Sequence, residues 1–506
     1  MSENQLRKSH NIRRSVCFAI LIASLVWTVF LIATKDLKTE VNSRIQLVIS
    51  RYFPTAQLCS NCNAQSKVNE SSQFFSTTVA DHQKYASTMI RSTTDMNESH
   101  SLNNSCSFTE NPSISPRDHV FQYLKERDIY MYSAFLDLRT RKNSVTIIGF
   151  APKRTGKIYC QLRRKAAVIT VSATWDKLPQ GMSRLRYFKY KPYYFTCKAP
   201  EDFQPDSVSL TTERCDGLIS NHLKINVIER ISEDKIPNKV LVCMKTLYNF
   251  KSAYKLIEFI EFQKILQAEK VIIYGTDNNR ENVEGVIDYY KSESFLHIEP
   301  WKVPVSTSNT YIKGKELWLY GQDLQIQDCL YRYMNQYKYI VFIDPDEFIF
   351  PHNKRIKSYL DIVMATTENV KKSSAYTASF LLSTVTYCLT GRESNSGSPS
   401  ISTLTKLKRS PPKPYSDHPK SIVNPRRVLY MGVHHVIRPF PGYTSWVGVD
   451  RKNALCHHYR NRPLSECTVM DKTALDYKTE FLRRIGSLCR KLKYEIPRVP
   501  LTINYE

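Results

Sequence analysis

Three carboxylates arrive within four residues in the stretch Tyr339-Ile-Val-Phe-Ile-Asp-Pro-Asp-Glu-Phe-Ile-Phe-Pro351. Asp344 and Asp346 stand at i and i+2, a spacing that in an extended segment sends both side chains to one side, while Pro345 stiffens the chain between them. Two anionic oxygen donors held in that way suit a hard divalent cation such as Mn²⁺ or Mg²⁺, which in turn can hold a diphosphate. The competing reading is a solvated acidic turn after a core strand, and a motif this short leaves both open.

The elements that would position these carboxylates can be read around them. Tyr339 to Ile343 is a short apolar run rich in β-branched and aromatic residues, as expected of a strand buried on both faces. It should end where the acidic residues begin, presenting them at the carboxyl edge of a sheet, where open α/β folds bind ligands. From Lys239 onward strands and helices alternate: strands over 239–244, 270–274 and 296–301, helices over 253–267 and 282–292, and a long helix over 317–337 leading into the acidic strand. A further helix is expected over 356–366, with strands over 375–382 and 428–433. This order predicts a mostly parallel sheet with helices on both faces. Residues 391–421, rich in Gly, Ser, Pro and Lys, read as one long loop of the kind that often serves as a lid or substrate loop.

The rest of the 506-residue chain is organised around that α/β unit. Residues 1–15 carry Arg7, Lys8, Arg13 and Arg14 and precede an uncharged apolar run from Val16 to Ala33, just long enough to cross a bilayer and followed by no small-x-small cleavage site. The expectation is a cytoplasmic tail (1–15), a transmembrane signal anchor (16–34) and everything beyond it in the lumen. Residues 35–115 read as a flexible stem whose acceptors Asn69, Asn97 and Asn103 each begin an N-x-Ser sequon. Of thirteen cysteines, one (Cys17) lies in the apolar run, leaving an even twelve for an oxidising compartment. Cys59 and Cys62 lack a second pair at zinc-finger spacing and read as a disulfide. Residues 116–235 alternate apolar and polar positions in short runs and predict a small β-rich domain that Cys160, Cys197 and Cys215 could staple. Lys and Arg outnumber Asp and Glu by 72 to 47, yet the basic residues are spread evenly, with no arginine-rich block, so nucleic acid is not expected as a partner.

The chain contains no G-x-x-x-x-G-K-[ST] loop and no G-x-S-x-G elbow, and no dinucleotide fingerprint follows its first α/β strand. Kinase-like, hydrolase and dehydrogenase chemistries lose their support. Two histidine pairs, His434-His435 and His457-His458, follow predicted strands and offer a third donor to a metal held by the acidic motif.

The segments Leu256-Ile-Glu-Phe-Ile-Glu261, Gln322-Asp-Leu-Gln-Ile-Gln-Asp328-Cys329, Ile343-Asp-Pro-Asp-Glu-Phe-Ile-Phe-Pro351, Ser421-Ile-Val-Asn-Pro-Arg-Arg-Val428, Gly432-Val-His-His435 and His458-Tyr-Arg460 together resemble the glycosyltransferase family 92 domain, in the family's order, over roughly residues 237–490. The resemblance implies a GT-A type α/β fold, a divalent metal such as Mn²⁺, and a nucleotide-sugar donor, with β-linked galactosyl transfer from UDP-galactose as the family's activity. It implies Asp344 and Asp346 as catalytic metal carboxylates, His458 as a further metal or diphosphate contact, and Arg460 as electrostatic help to the diphosphate. His434 and His435 are second choices. Gln322 and Asp328 are candidate donor contacts or, with Glu261, core polar groups. Pro345 stands where the family more often has an aliphatic residue. An inverting transfer also needs a base for the acceptor hydroxyl; Glu393, Asp417 and Asp450 are the candidates. Residues 491–506 remain as a C-terminal tail. The expected setting is a type II Golgi membrane protein with a luminal catalytic domain acting on glycoprotein or glycolipid glycans. The alternative is a glycan-binding or adhesion protein that keeps the fold without the chemistry.

Overall fold

The structure is a computed structural model that describes residues 114–494, apart from 141, 153–155, 179–186, 216–218, 249, 276–282, 309–313, 371–375 and 390–400. The tail and apolar segment expected over 1–34, most of the stem with Asn69, Asn97, Asn103, Cys59 and Cys62, the candidate base Glu393, and residues 495–506 of the C-terminal tail lie outside the described residues. Among the described residues no helix is long and apolar enough to cross a membrane. These residues belong to one compact unit, Leu102–Glu506.

Residues 122–228 form an eight-stranded sheet whose second strand, Ile129–Asp137, pairs with both Ser144–Ala151 and the last strand, Leu223–Ile228, so the sheet closes on itself. The period-2 alternation explains its two cores. Residues such as Ile129, Leu136, Val145 and Phe195 fill the interior, whereas Tyr132, Phe135, Ile148 and Phe150 point outward and are buried against the α/β region. Cys160 and Cys197 are disulfide-bonded across this sheet.

The α/β region centres on a seven-stranded sheet. Its parallel part runs β3 (Leu296–Glu299), β2 (Lys270–Tyr274), β1 (Val240–Met244), β4 (Tyr339–Phe342). Beyond β4 the sheet changes sense: β8 (Lys420–Val423) pairs antiparallel with β4 and with β6 (Ser379–Leu382), and a short strand, Val447–Gly448, closes that edge parallel to β6. The sheet is mostly parallel, as expected, with four of its six pairings parallel; the two antiparallel ones are both made by β8. The reason lies in residues 391–421, expected to be a single loop, which carry a helical turn (Ser402–Thr405) and a short strand (Lys408–Arg409) and end by entering β8.

Strands β1 and β4 are apolar throughout because both of their faces are covered. Val240, Val242 and Val341 face helices α1 (Ala253–Ile265), α2 (Glu284–Ser292), α4 (Tyr359–Val370) and α5 (Lys478–Leu492). Leu241, Cys243, Ile340 and Phe342 face α3 (Gln322–Tyr333) and the outer wall of the closed sheet. A disulfide between Cys243 and Cys329 ties β1 to α3.

The long helix expected from Leu317 begins only at Gln322. Leu319, Tyr320 and Gly321 have φ values of 43°, 56° and 73°, which no right-handed helix accommodates. The Tyr320 carbonyl is held in that conformation by accepting from the Trp301 indole N–H at 2.7 Å and from Gln325 Nε2 at 3.2 Å. A second, five-stranded sheet contains β5 (Glu347–Pro351), β9 (Ala454–Asn461) and β7 (Thr384–Leu389) in that order, with β5 and β9 antiparallel and β9 and β7 parallel.

Candidate active site

The acidic motif bridges the two sheets. β4 ends at Phe342, β5 begins at Glu347, and the chain between them makes a four-residue turn in which the Glu347 N–H donates to the Asp344 carbonyl at 3.0 Å. Asp at the first position and Pro at the second favour that turn type. The family's aliphatic residue is thus replaced by one that suits the local backbone. The carboxylates do not share one face of an extended segment; they leave a turn in different surroundings.

Asp344 has lysines on both of its oxygens. Lys245, the first residue after β1, stands 3.2 Å from Oδ1, and Lys420, the first residue of β8, stands 3.7 Å from Oδ2. Burial pushes the Asp344 carboxyl up, but the two ammonium groups outweigh burial and hold it well below the usual carboxylate range. Glu347 is almost completely buried; Lys420 lies 2.6 Å from its Oε2, which also accepts the Asp344 N–H at 3.0 Å. Lys420 therefore stitches β8 to the turn.

Asp346 is the open member, with 47% of its side chain exposed. Antiparallel pairing sets Glu347 opposite His458 on β9, which brings His458 Nε2 to 3.2 Å from Asp346 Oδ2 and Nδ1 to 3.5 Å from Glu347 Oε1. Burial pushes Asp346 up and His458 down; their mutual hydrogen bond outweighs burial in both, lowering the carboxyl and raising the imidazole. Asp346 on the turn thus touches His458 of a strand over a hundred residues away, and Asp344 lies within electrostatic reach of both. The three residues offer hard oxygen donors and one imidazole, a donor set that fits Mn²⁺ or Mg²⁺. The Lys245 ammonium already stands where positive charge is accepted.

A crevice opens beside this turn at the carboxyl edge of β1, β2 and β4, lined among others by Lys245, Tyr274, Gln322, Gln325, Asp344 and Lys420. Gln322, a candidate donor contact, is among the residues lining this crevice. Arg460 lies two residues beyond His458 on β9, hence on the same strand face, and is exposed. His434 is near enough for its ring to feel Asp344 and Lys420, and burial, then Lys420 and His418, push its imidazole down to about 3. His435 is exposed.

Other expected site residues sit elsewhere. Asp328 is fully buried, accepting from Tyr274 at 2.6 Å and from both Arg332 Nε and Nη2 at 2.9 Å. Arg332 continues to Asp118 at 2.8 Å, so Asp328 belongs to a polar network under the closed sheet. Glu261 is buried, accepting from Tyr290 at 2.7 Å. Asp450 is exposed and accepts the Lys452 N–H at 3.0 Å in a turn. Asp417 lies beside His418, Lys413 and the start of β8.

Lys245, Lys420 and Glu347 were not read as site residues, although Lys245 and Glu347 carry the same signal as Asp344: a charged residue flanking an apolar strand. Lys420 carried none, because nothing in Lys-Ser-Ile-Val reveals that β8 would run antiparallel beside β4.

A second cluster lies on the opposite face of β9. His457 Nε2 is 3.0 Å from His352 Nε2, and Asp471 Oδ2 is 3.9 Å from the latter. All three come within ligand distance of one another. However, Arg409 Nε sits 2.6 Å from the same Asp471 oxygen, supplying the positive charge a metal would bring.

Residues 238–487 match the family model for glycosyltransferase family 92. This region of the chain is a glycosyltransferase family 92 domain. Beta-1,4-galactosyltransferase galt-1 of Caenorhabditis elegans is 22% identical to it over 359 residues, which cover 69% of this chain and 78% of the relative. Among solved structures, glucosyl-3-phosphoglycerate synthase from Mycobacterium tuberculosis, in complex with Mn²⁺, UDP and glucosyl-3-phosphoglycerate, is 12% identical and covers 51% of this chain and 81% of its own. Its TM-score of 0.21 is too low to bear on fold or ligands. The family 92 domain makes this chain a glycosyltransferase with a mixed α/β catalytic domain.

Proposed function

We propose that this glycosyltransferase moves a hexose, galactose from UDP-galactose in β linkage, to a glycan acceptor on a glycoprotein or glycolipid in the secretory pathway. The catalytic domain is read as GT-A type. Asp344, Asp346 and His458 would hold Mn²⁺ or another divalent cation, which when bound neutralises charge developing on the leaving diphosphate. The observation that carries this reading is the turn itself: Asp346, half open to solvent with His458 beside it, next to Asp344 held ionised by two lysines.

The chain's own groups have separable tasks. Lys420 fixes the Asp344–Glu347 turn against β8. Lys245 lines the crevice and keeps Asp344 ionised, and its half-buried ammonium would add positive charge beside an entering diphosphate. Gln322 and Gln325 offer neutral hydrogen bonds along the same wall. Galactose as the sugar follows the name of the nematode relative and the family resemblance. The apolar run 16–34 and the sequons at Asn69, Asn97 and Asn103 support a type II Golgi membrane protein with its catalytic domain luminal.

The test is UDP release and sugar transfer by the full chain in detergent, screened over UDP-sugars and released N-glycans with Mn²⁺ or EDTA, with Asp346→Ala alongside. Turnover of UDP-galactose that disappears with EDTA and with Asp346→Ala supports the reading. A folded sample that neither binds UDP nor consumes any donor removes it, and a glycan-binding protein on the same fold takes its place.

A further inference from the structure

The transfer needs a base for the acceptor hydroxyl, and the turn holding Asp344 and Asp346 contains none free for that task. The segment that leads into the neighbouring strand carries a different group. β8 pairs antiparallel with β4, Val341 opposite Ile422. Lys420, the first residue of β8, reaches Asp344 at 3.7 Å, and His418 lies two residues before it in the chain. His434 links this segment to the acidic turn. Its ring is 4.9 Å from that of His418, and it feels the charges of both Asp344 and Lys420.

His418 carries the marks of a positioned imidazole. Its Nδ1 is hydrogen-bonded to Asp417 Oδ1, and Lys413 holds the other Asp417 oxygen at 3.2 Å. Both oxygens of Asp417 are therefore engaged, and with Nδ1 turned to Asp417 the ring's other nitrogen is Nε2. The His418 side chain is 60% exposed. Its backbone has φ 51° although it precedes Pro419, a position that steric crowding drives towards extended conformations. Strain of this kind persists only where surrounding structure imposes it, and it gathers at functional sites. Here the His418 carbonyl is pinned by the Thr384 hydroxyl at 2.9 Å. Asp417 and His434 are the titratable groups against the ring; Lys413 lies behind Asp417, and Lys420 acts on His434.

We propose that His418 is the general base of the transfer and that Asp417 is its positioning residue. This deepens the transferase reading and rests on it. In the step, His418 Nε2 takes the proton from the acceptor hydroxyl as the hydroxyl oxygen forms its bond to the anomeric carbon. The bond from that carbon to the diphosphate oxygen breaks, and its electron pair departs with UDP. The Asp417 carboxylate stabilises the imidazolium that forms, as a carboxylate behind a catalytic histidine does elsewhere.

The experiment compares the full chain with His418→Gly, which removes the ring and suits the left-handed backbone, and with Asp417→Asn. UDP release from UDP-galactose is measured with Mn²⁺ and released N-glycans, and Mn²⁺-dependent UDP binding is measured separately. His418→Gly should lose about 10²–10⁴-fold in kcat, the range for a positioned acid–base group. Its UDP affinity should stay unchanged, and added imidazole should restore turnover in proportion to its concentration. Asp417→Asn should lose kcat without a change in KM for UDP-galactose. Turnover of His418→Gly within threefold of wild type, loss without imidazole rescue, or parallel loss of UDP binding each overturns the assignment. A wild-type chain that neither binds UDP nor releases it overturns the transferase reading instead, and the assignment with it.

Discussion

His457 and His458 are neighbours on one strand, and because successive side chains of a strand point to opposite faces they enter two different clusters of histidine and carboxylate. On one face His458 meets Asp346, Glu347 and, through Lys420, Asp344. On the other His457 meets His352 and Asp471. The back cluster has one carboxylate, already matched by Arg409, and two imidazoles bonded to each other. Burial pushes both imidazoles down, His457 far below the usual histidine range. Its charges are satisfied internally. The front cluster has three carboxylates, of which Asp346 remains half open with His458 against it. Similar residue types make a structural network where the charges close among themselves and a candidate ligand site where one anion is left facing solvent.

Breaking each cluster should separate the two roles. Asp346→Ala is expected to reduce metal-dependent transfer by roughly 10³-fold, the several kcal/mol of charge stabilisation a bound metal supplies. It should leave the thermal midpoint almost unchanged, since a half-exposed ion pair contributes about 0–1 kcal/mol. An assay with Mn²⁺ alongside calorimetry reads both. Asp471→Ala should do the reverse. It strands the Arg409 guanidinium among buried groups, at a cost of about 3 kcal/mol in denaturant unfolding, with UDP binding intact in the protein that remains folded. If Asp471→Ala abolished UDP binding without destabilising the fold, the division between the faces would fail.

A third test concerns Glu258 on α1, which caps the turn at Ser402–Thr405 by accepting from the Thr403 N–H and hydroxyl at 2.7 Å and the Ser402 N–H at 3.2 Å. Burial pushes its carboxyl up to about 7. A folded-state value above the unfolded one means the folded chain binds the proton more tightly. The associated stability is full at acidic pH, below the unfolded value, and is lost as pH rises through about 7. The difference in unfolding free energy between the wild type and Glu258→Gln should therefore shift against the wild type between acidic and neutral pH, by up to about 3 kcal/mol. A flat difference would show that Glu258 keeps its ordinary titration. The smallest expected effect is His458→Asn, with roughly tenfold weaker Mn²⁺ dependence of UDP binding, or about 1.4 kcal/mol, because the two carboxylates remain.

Legibility differed between elements for physical reasons. β2 was read to the residue and β1 and β4 to within one, because strands covered on both faces are continuous apolar runs. The start of α3 was missed by five residues: Tyr320 and Gly321 sit in left-handed conformations imposed by Trp301 and Gln325, and only Gly321 advertises that possibility locally. The antiparallel β8 was hidden within a Gly-, Ser- and Pro-rich stretch. With it were hidden Lys420 and the place of His418 two residues before it. Asp328 looked like a site residue by motif, but its bonds to Arg332 and Tyr274 exist only once the closed sheet packs over α3.

What the sequence determined by itself was local: an apolar run ending in Asp-Pro-Asp-Glu must stop being a strand there, and proline at that place favours a tight turn. Which carboxylate would be neutralised and which left open depended on partners drawn from residues 245, 420 and 458. The strength of an ion pair depends on the spatial separation of its groups and on their local dielectric surroundings, neither of which is written along the chain, so only the tertiary structure could assign them.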